Sequence, residues 1–139
     1  MGHTIKTQWE GGMLFNTETV GGEVILDADT SVGGQGKGVR PKALMLVSLS
    51  GCTGMDVASL MKKMRVEVED FRIEVTAELT EEHPKKYHTV KVDYFFKCDP
   101  SEENKKKIEK SVDLSVNRYC GVFEMFRAFS EISHEIHYV

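Results

Sequence analysis

Two cysteines in unlike settings are the residues of this chain best equipped to do chemistry. Cys52 lies inside the apolar run LMLVSLSGCTGMDVASLM (44–61), and Cys120 sits in RYCGVFEMF (118–126). A thiol that becomes a thiolate is the main redox group of a protein without a cofactor, passing through a sulfenic acid to a disulfide. If the two meet in space, the chain has the parts of a dithiol/disulfide enzyme. If they do not, it is a small α+β domain with inert buried thiols. Small residues precede Cys52 (Ser48, Ser50, Gly51), and Asp56 follows one helical turn later on the same side. A carboxylate there raises a thiol's pKa unless a cation offsets it, and a structural hydrogen bond is the plainer role for Asp56. Cys120 falls in a break between two helices, where free N–H groups and the positive helix end favour a thiolate, with Arg118 near in sequence. Its other reading is a helix-end thiol buried by Phe123 and Phe126. On local chemistry alone Cys120 is the better nucleophile. Cys98 ends a strand before Asp99-Pro100 and reads as structural.

Other chemistries lack their signatures. There is no CxxC, which argues against thioredoxin-type exchange and zinc ribbons. His3, His83, His88, His134 and His137 are scattered, and His134 and His137 are three apart in a terminal strand, on opposite faces. No metal site is expected. The net charge of −4 and a lone basic cluster, Lys105-Lys106-Lys107, argue against a nucleic-acid partner. No apolar run reaches about 18 uninterrupted residues, so no membrane span is expected. The N-terminus lacks a secretory pattern, and three cysteines do not make a disulfide framework. The expectation is a cytoplasmic chain, with 1–139 forming one domain.

The elements that must position the thiols follow from patterning. Residues 4–9, 13–17 and 23–27, broken by Gly11-Gly12 and Gly21-Gly22, suggest a three-stranded antiparallel meander. Residues 28–39 are Gly-rich and aperiodic, a long loop without the GxxxxGK[ST] order of a phosphate cradle. From Pro41 to Met64 the signal is helical and apolar on nearly all sides, which predicts a helix buried on nearly all sides. DFRIEVTAELT (70–80) alternates as a half-buried strand, and 88–98 is a second strand, antiparallel to it. Ser101 caps a helix whose inner stripe is Ile108, Val112, Ser115 and Val116, stopping near 118–121. A short helix at 121–129 and a strand at 131–138 complete the chain. The class is α+β. A single domain of this size offers few strands to cover the long helix, which points to a homodimer with much shared core.

The run from Val39 through Pro41 to the GCTGMD centre and Met64, followed by VNRYCGVFE after a second helix, resembles the OsmC/Ohr family, in particular OsmC-like proteins with a GCTxMD centre. The resemblance extends over essentially the whole chain. It implies an intertwined homodimer with sites at the subunit interface, and a thiol-dependent peroxidase of organic hydroperoxides. On that pattern Cys52 matches the peroxidatic cysteine and Cys120 the resolving one. No resident cofactor is implied; an external dithiol, lipoyl-type in the family, restores the thiols. Family members activate the first cysteine with an Arg from the N-terminal strands and a Glu just after the helix-opening Pro. Here no Arg precedes Arg40, and Lys42 and Ala43 follow Pro41, leaving Arg40, Lys42 and Asp56 as the candidate activating groups. The alternative is a non-catalytic OsmC-like dimer that holds a small apolar ligand at its interface.

Overall fold

The computed structural model describes residues 2–139. They divide into two compact units, one ending at Met45 and one spanning Leu46–Val139.

The first unit is the expected meander: β1 (Lys6–Trp9), β2 (Phe15–Thr19) and β3 (Gly22–Leu26), antiparallel and in that spatial order. Gly21 at φ 90° makes the tight β2–β3 turn that an L side chain resists. The Gly-rich segment after β3 is ordered by one residue, Asp27. Its carboxylate is buried and accepts the backbone N–H groups of Ala28 (2.8 Å), Gln35 (3.2 Å) and Lys37 (3.1 Å). A concave run of N–H groups is an anion site, and here the anion is the chain's own side chain. At Gly34 a Cβ would overlap the Ala28 carbonyl, so only glycine closes the loop. Val39 then returns beside Leu26 in a parallel bridge.

The Lys37 N–H above all, despite burial, holds the Asp27 carboxyl below its ordinary value of 3.8. A depressed folded-state pKa gives stability that is present above the ordinary value and is lost as pH falls through the folded one. Asp27→Ala should therefore open residues 28–38 to limited proteolysis at pH 7. The parent should gain the same cleavage only in strong acid. Equal protease resistance of the two proteins at pH 7 would contradict the clamp.

The second unit takes in most of α1 (Ala43–Lys63), then β4 (Asp70–Leu79), β5 (Tyr87–Lys97), α2 (Glu102–Leu114), α3 (Gly121–Phe129) and β6 (Glu131–Tyr138). β4 pairs antiparallel with β5 as its alternation suggests, with Val75 opposite Val92. β6 lies on the other edge of β5 and runs parallel to it, with Val92 opposite His134. Parallel neighbours need a crossover, supplied here by α2 and α3. The central strand places Val90, Val92, Tyr94 and Phe96 at zero exposure. They share a core with Leu49, Val57 and Met61 of α1, with Ile108, Val112 and Val116, and with Phe123 and Phe126 of α3. Each such side chain contributes about 1.5–3 kcal/mol by leaving water. Ser101 caps α2 through the Asn104 N–H, as its sequence position suggests.

The long helix expected to be buried on nearly all sides is covered on one face by its own chain. In this chain α1 buries one stripe, Leu49, Thr53, Val57 and Met61, while Val47 is 59% and Met55 76% exposed. A single sheet covers a single face of a helix, and the opposite face stays apolar and open. By length and composition α1 is also apolar enough to cross a membrane, although its buried stripe carries Thr53 and belongs to the core.

Candidate functional site: two thiols and a carboxylate on a hydroxyl chain

The buried stripe of α1 turns Thr53 inward, and the residues flanking it place Cys52 and Asp56 at the edge of the core, both half-buried. Across from them, α2 ends in a single wide turn at Ser115–Tyr119, of the π type. Such insertions bend a helix and recur at functional sites. The turn closes on Cys120, whose N–H donates to the Ser115 carbonyl (2.8 Å). Cys120 has extended backbone and caps α3, its Sγ accepting the Phe123 N–H at 3.3 Å. The result is that Cys52 Sγ, Cys120 Sγ and an Asp56 carboxylate oxygen lie within 4.8 Å of one another. A disulfide between the two sulfurs needs only about 2.05 Å, which side-chain rotation can supply from this separation. All three cysteines are free thiols.

Asp56 is held by a buried chain of hydroxyls. Ser115 Oγ donates to Asp56 Oδ2 (3.0 Å), and Thr53 Oγ1 lies 2.8 Å from Ser115 Oγ and 2.6 Å from the Tyr94 hydroxyl. A hydroxyl has one proton, so the direction is settled by the carboxylate end. Tyr94 donates to Thr53, Thr53 to Ser115, and Ser115 to Asp56. Tyr94, Thr53 and Ser115 are all at zero exposure, so each needs this partner. Burial, with Cys120 and Asp56 adding to it against the Thr53 hydrogen bond, pushes the Tyr94 phenol up to about 12. It therefore stays protonated and donating.

The Cys120 thiol is pushed up to about 12, first by burial and then by its hydrogen bond with Cys52, with Asp56 adding repulsion. The Phe123 N–H opposes this and loses. At Cys120 loss of water outweighs the one favourable N–H on which the helix-end reading rests. Arg118 lies over the Tyr119 ring and does not figure among the groups acting on Cys120. Cys98, half-buried just past β5, is likewise pushed up by burial and stands apart from the pair. Arg40 and Lys42 belong to the first unit, where Arg40 pairs with Asp29 (3.2 Å) and the Gly38 carbonyl. His137 is bound to Asp93 at 2.8 Å. Sequence reading missed the roles of Thr53, Ser115 and Tyr94. The available signal was Ser115, a polar residue in the otherwise apolar inner stripe of α2, which a buried position obliges to find a partner.

Comparison with known proteins gives the family and the fold. Residues 34–135 match the family model described as OsmC-like protein. The chain is 26% identical over 130 residues to Protein YhfA of Escherichia coli K12, covering 93% of this chain and 92% of that one. A crystal structure of a protein from Aquifex aeolicus VF5 superposes with a TM-score of 0.79 at 29% identity, over 100% of this chain and 98% of that one. An organic hydroperoxide resistance protein OsmC from Legionella pneumophila has the same fold, with a TM-score of 0.69 at 15% identity over 99% and 97% of the two chains. With its two thiols on the central helix and on the break before the last helix, this chain belongs to the OsmC-like protein family.

Proposed function

We propose that the chain is a thiol-dependent peroxidase of organic hydroperoxides, working as a homodimer in the cytoplasm. The observation that carries this reading is the convergence of Cys52, Cys120 and the Ser115-held Asp56. Cys52 attacks the peroxide, and Cys52–SH plus ROOH become Cys52–SOH plus ROH. Asp56 takes the thiol proton and returns it to the leaving alkoxide. The Cys120 sulfur then displaces hydroxide, so that the Cys52–Cys120 bond forms and one water leaves. An external dithiol of the lipoyl kind exchanges with that bond, ending as a disulfide and restoring both thiols. The buried, protonated state of Cys120 suits a resolver that waits for a sulfenic acid beside it.

One further feature supports the reading. An apolar cleft of about 410 Å³ runs along the open face of α1, lined by Gly51, Gly54, Met55, Phe71 and Ile73 among others and by neither thiol. The uncovered faces call for a second copy: Val47 and Met55 on α1, and a first unit in which only Thr17 and Asp27 of the described residues are buried. The Legionella protein of the same fold is named for organic hydroperoxide resistance, the chemistry proposed here.

The test treats reduced protein with one equivalent of cumene hydroperoxide. Two thiols per chain should be lost, peptide mapping should show an intrachain Cys52–Cys120 link, and dihydrolipoamide should sustain turnover of a sedimenting dimer. Intact thiols and no turnover would overturn the enzyme and leave the apolar-ligand binder.

A further inference from the structure

We propose that Cys52, Asp56 and Cys120 form a binding site for a thiophilic divalent cation of the zinc class, one per chain. The sequence nominates no metal ligands, because its cysteines and histidines lack ligand spacing; the fold supplies the set by bringing α1 against the α2–α3 break. Three potential ligand atoms, two sulfurs and a carboxylate oxygen, lie within 4.8 Å of one another. Two sulfurs on one zinc at about 2.3 Å stand about 3.8 Å apart, so small rotamer changes close the site. All three groups ligate as anions, and a dication satisfies their mutual repulsion.

The surroundings have the form of an outer ligand shell. Ligating carboxylates and thiolates are oriented by hydrogen bonds from groups that do not touch the metal. Ser115 supplies that bond to Asp56 Oδ2, backed by Thr53 and Tyr94, and the Phe123 N–H supplies it to Cys120 Sγ. A carboxylate has lone pairs to spare beyond the one Ser115 engages. A cleft of about 340 Å³ lined by Asp56, Ser59, Leu60, Lys63 and Tyr119 offers an entry path. Three protein ligands leave a fourth position open, the pattern of exchangeable rather than closed structural zinc sites. One sulfur pair cannot be metal-bound and disulfide-bonded at once, so occupancy would hold the thiols reduced.

The other cluster of this kind among the described residues, Asp93, Glu135 and His137, already holds a cation. Lys91 Nζ sits 3.2 Å from Asp93 and 2.8 Å from Glu135. It serves as an internal control.

Reduced protein titrated anaerobically with cobalt(II) should develop a thiolate-to-metal charge-transfer band, saturating at one equivalent and bleached by zinc(II). The band should fall by about half in Cys52→Ser and in Cys120→Ser, two thiolates being reduced to one, and stay unchanged in Cys98→Ser and His137→Ala. Asp56→Asn should weaken the metal by about 10-fold or more. Should a cysteine variant not fold, the parent gives the same answer: bound zinc should protect Cys52 and Cys120, and not Cys98, from iodoacetamide. Absence of a thiolate band, or equal alkylation of Cys52 and Cys120 with and without zinc, would overturn the site. Neither readout uses peroxide turnover, so the proposal stands or falls apart from the peroxidase reading.

Discussion

Cys120→Ser should consume about one equivalent of organic hydroperoxide per chain and then stall, while Cys52→Ser should consume none. Steady turnover with a dithiol donor should fall at least about 100-fold in both variants, since resolution and attack are each removed outright. The difference lies in the first equivalent. In Cys120→Ser the attacking sulfur is intact, and its product should persist as a Cys52 sulfenic acid, about 16 Da heavier and trapped by dimedone. Burial is the physical argument for giving Cys120 the second role. It pushes the Cys120 thiol up to about 12, so at pH 7 it is held in the thiol form. The N-cap hydrogen bond from Phe123 is a real stabilisation of negative charge on Cys120, but it cannot replace the lost water. A first equivalent consumed by Cys52→Ser and not by Cys120→Ser would invert the assignment and restore the helix-end argument.

What was legible in advance was local. The alternation of Phe71, Ile73, Val75, Ala77 and Leu79, the Ser101 cap and the break at Cys120 each depend on neighbours within a few residues, and the elements they imply are present within one or two positions. What was not legible depends on partners far apart in the chain. The hydroxyl chain joins positions 41, 62 and 59 residues apart, and no period or spacing links a Tyr in one strand to a Thr in a helix. The parallel pairing of β6 has the same origin, because strand alternation reads identically in either direction. The Gly-rich loop is a third case. Its composition declares freedom, but its order comes from the Asp27 carboxylate, which gathers N–H groups 8 and 10 residues away. The long apolar helix is a fourth case, since hydrophobicity shows what wants cover and not which chain supplies it.

Thr53→Val should be the most destabilising conservative change in the second unit. The two side chains are nearly isosteric, so no cavity opens, but the hydroxyl is the middle of the chain. Its loss leaves the Tyr94 hydroxyl without an acceptor and Ser115 Oγ without a donor, both at zero exposure. A buried polar group left unpaired costs about 1–3 kcal/mol, so the pair should cost about 3 kcal/mol and lower the melting temperature by about 10 °C. Tyr94→Phe removes only the outer end. Thr53 then keeps Ser115 as its acceptor, and the loss should be about 1 kcal/mol. The ranking is the diagnostic, measured by urea unfolding at one fixed protein concentration because a dimer's stability depends on it. If Tyr94→Phe cost as much as Thr53→Val, the tyrosine would be making its essential contact elsewhere and the chain would not be a chain. Neither variant touches the Ser115–Asp56 bond directly, so both should keep thiol reactivity close to the parent's while folded. Ser115→Ala is the opposite case: it cuts the link to Asp56 itself and should disturb the thiols and the stability together.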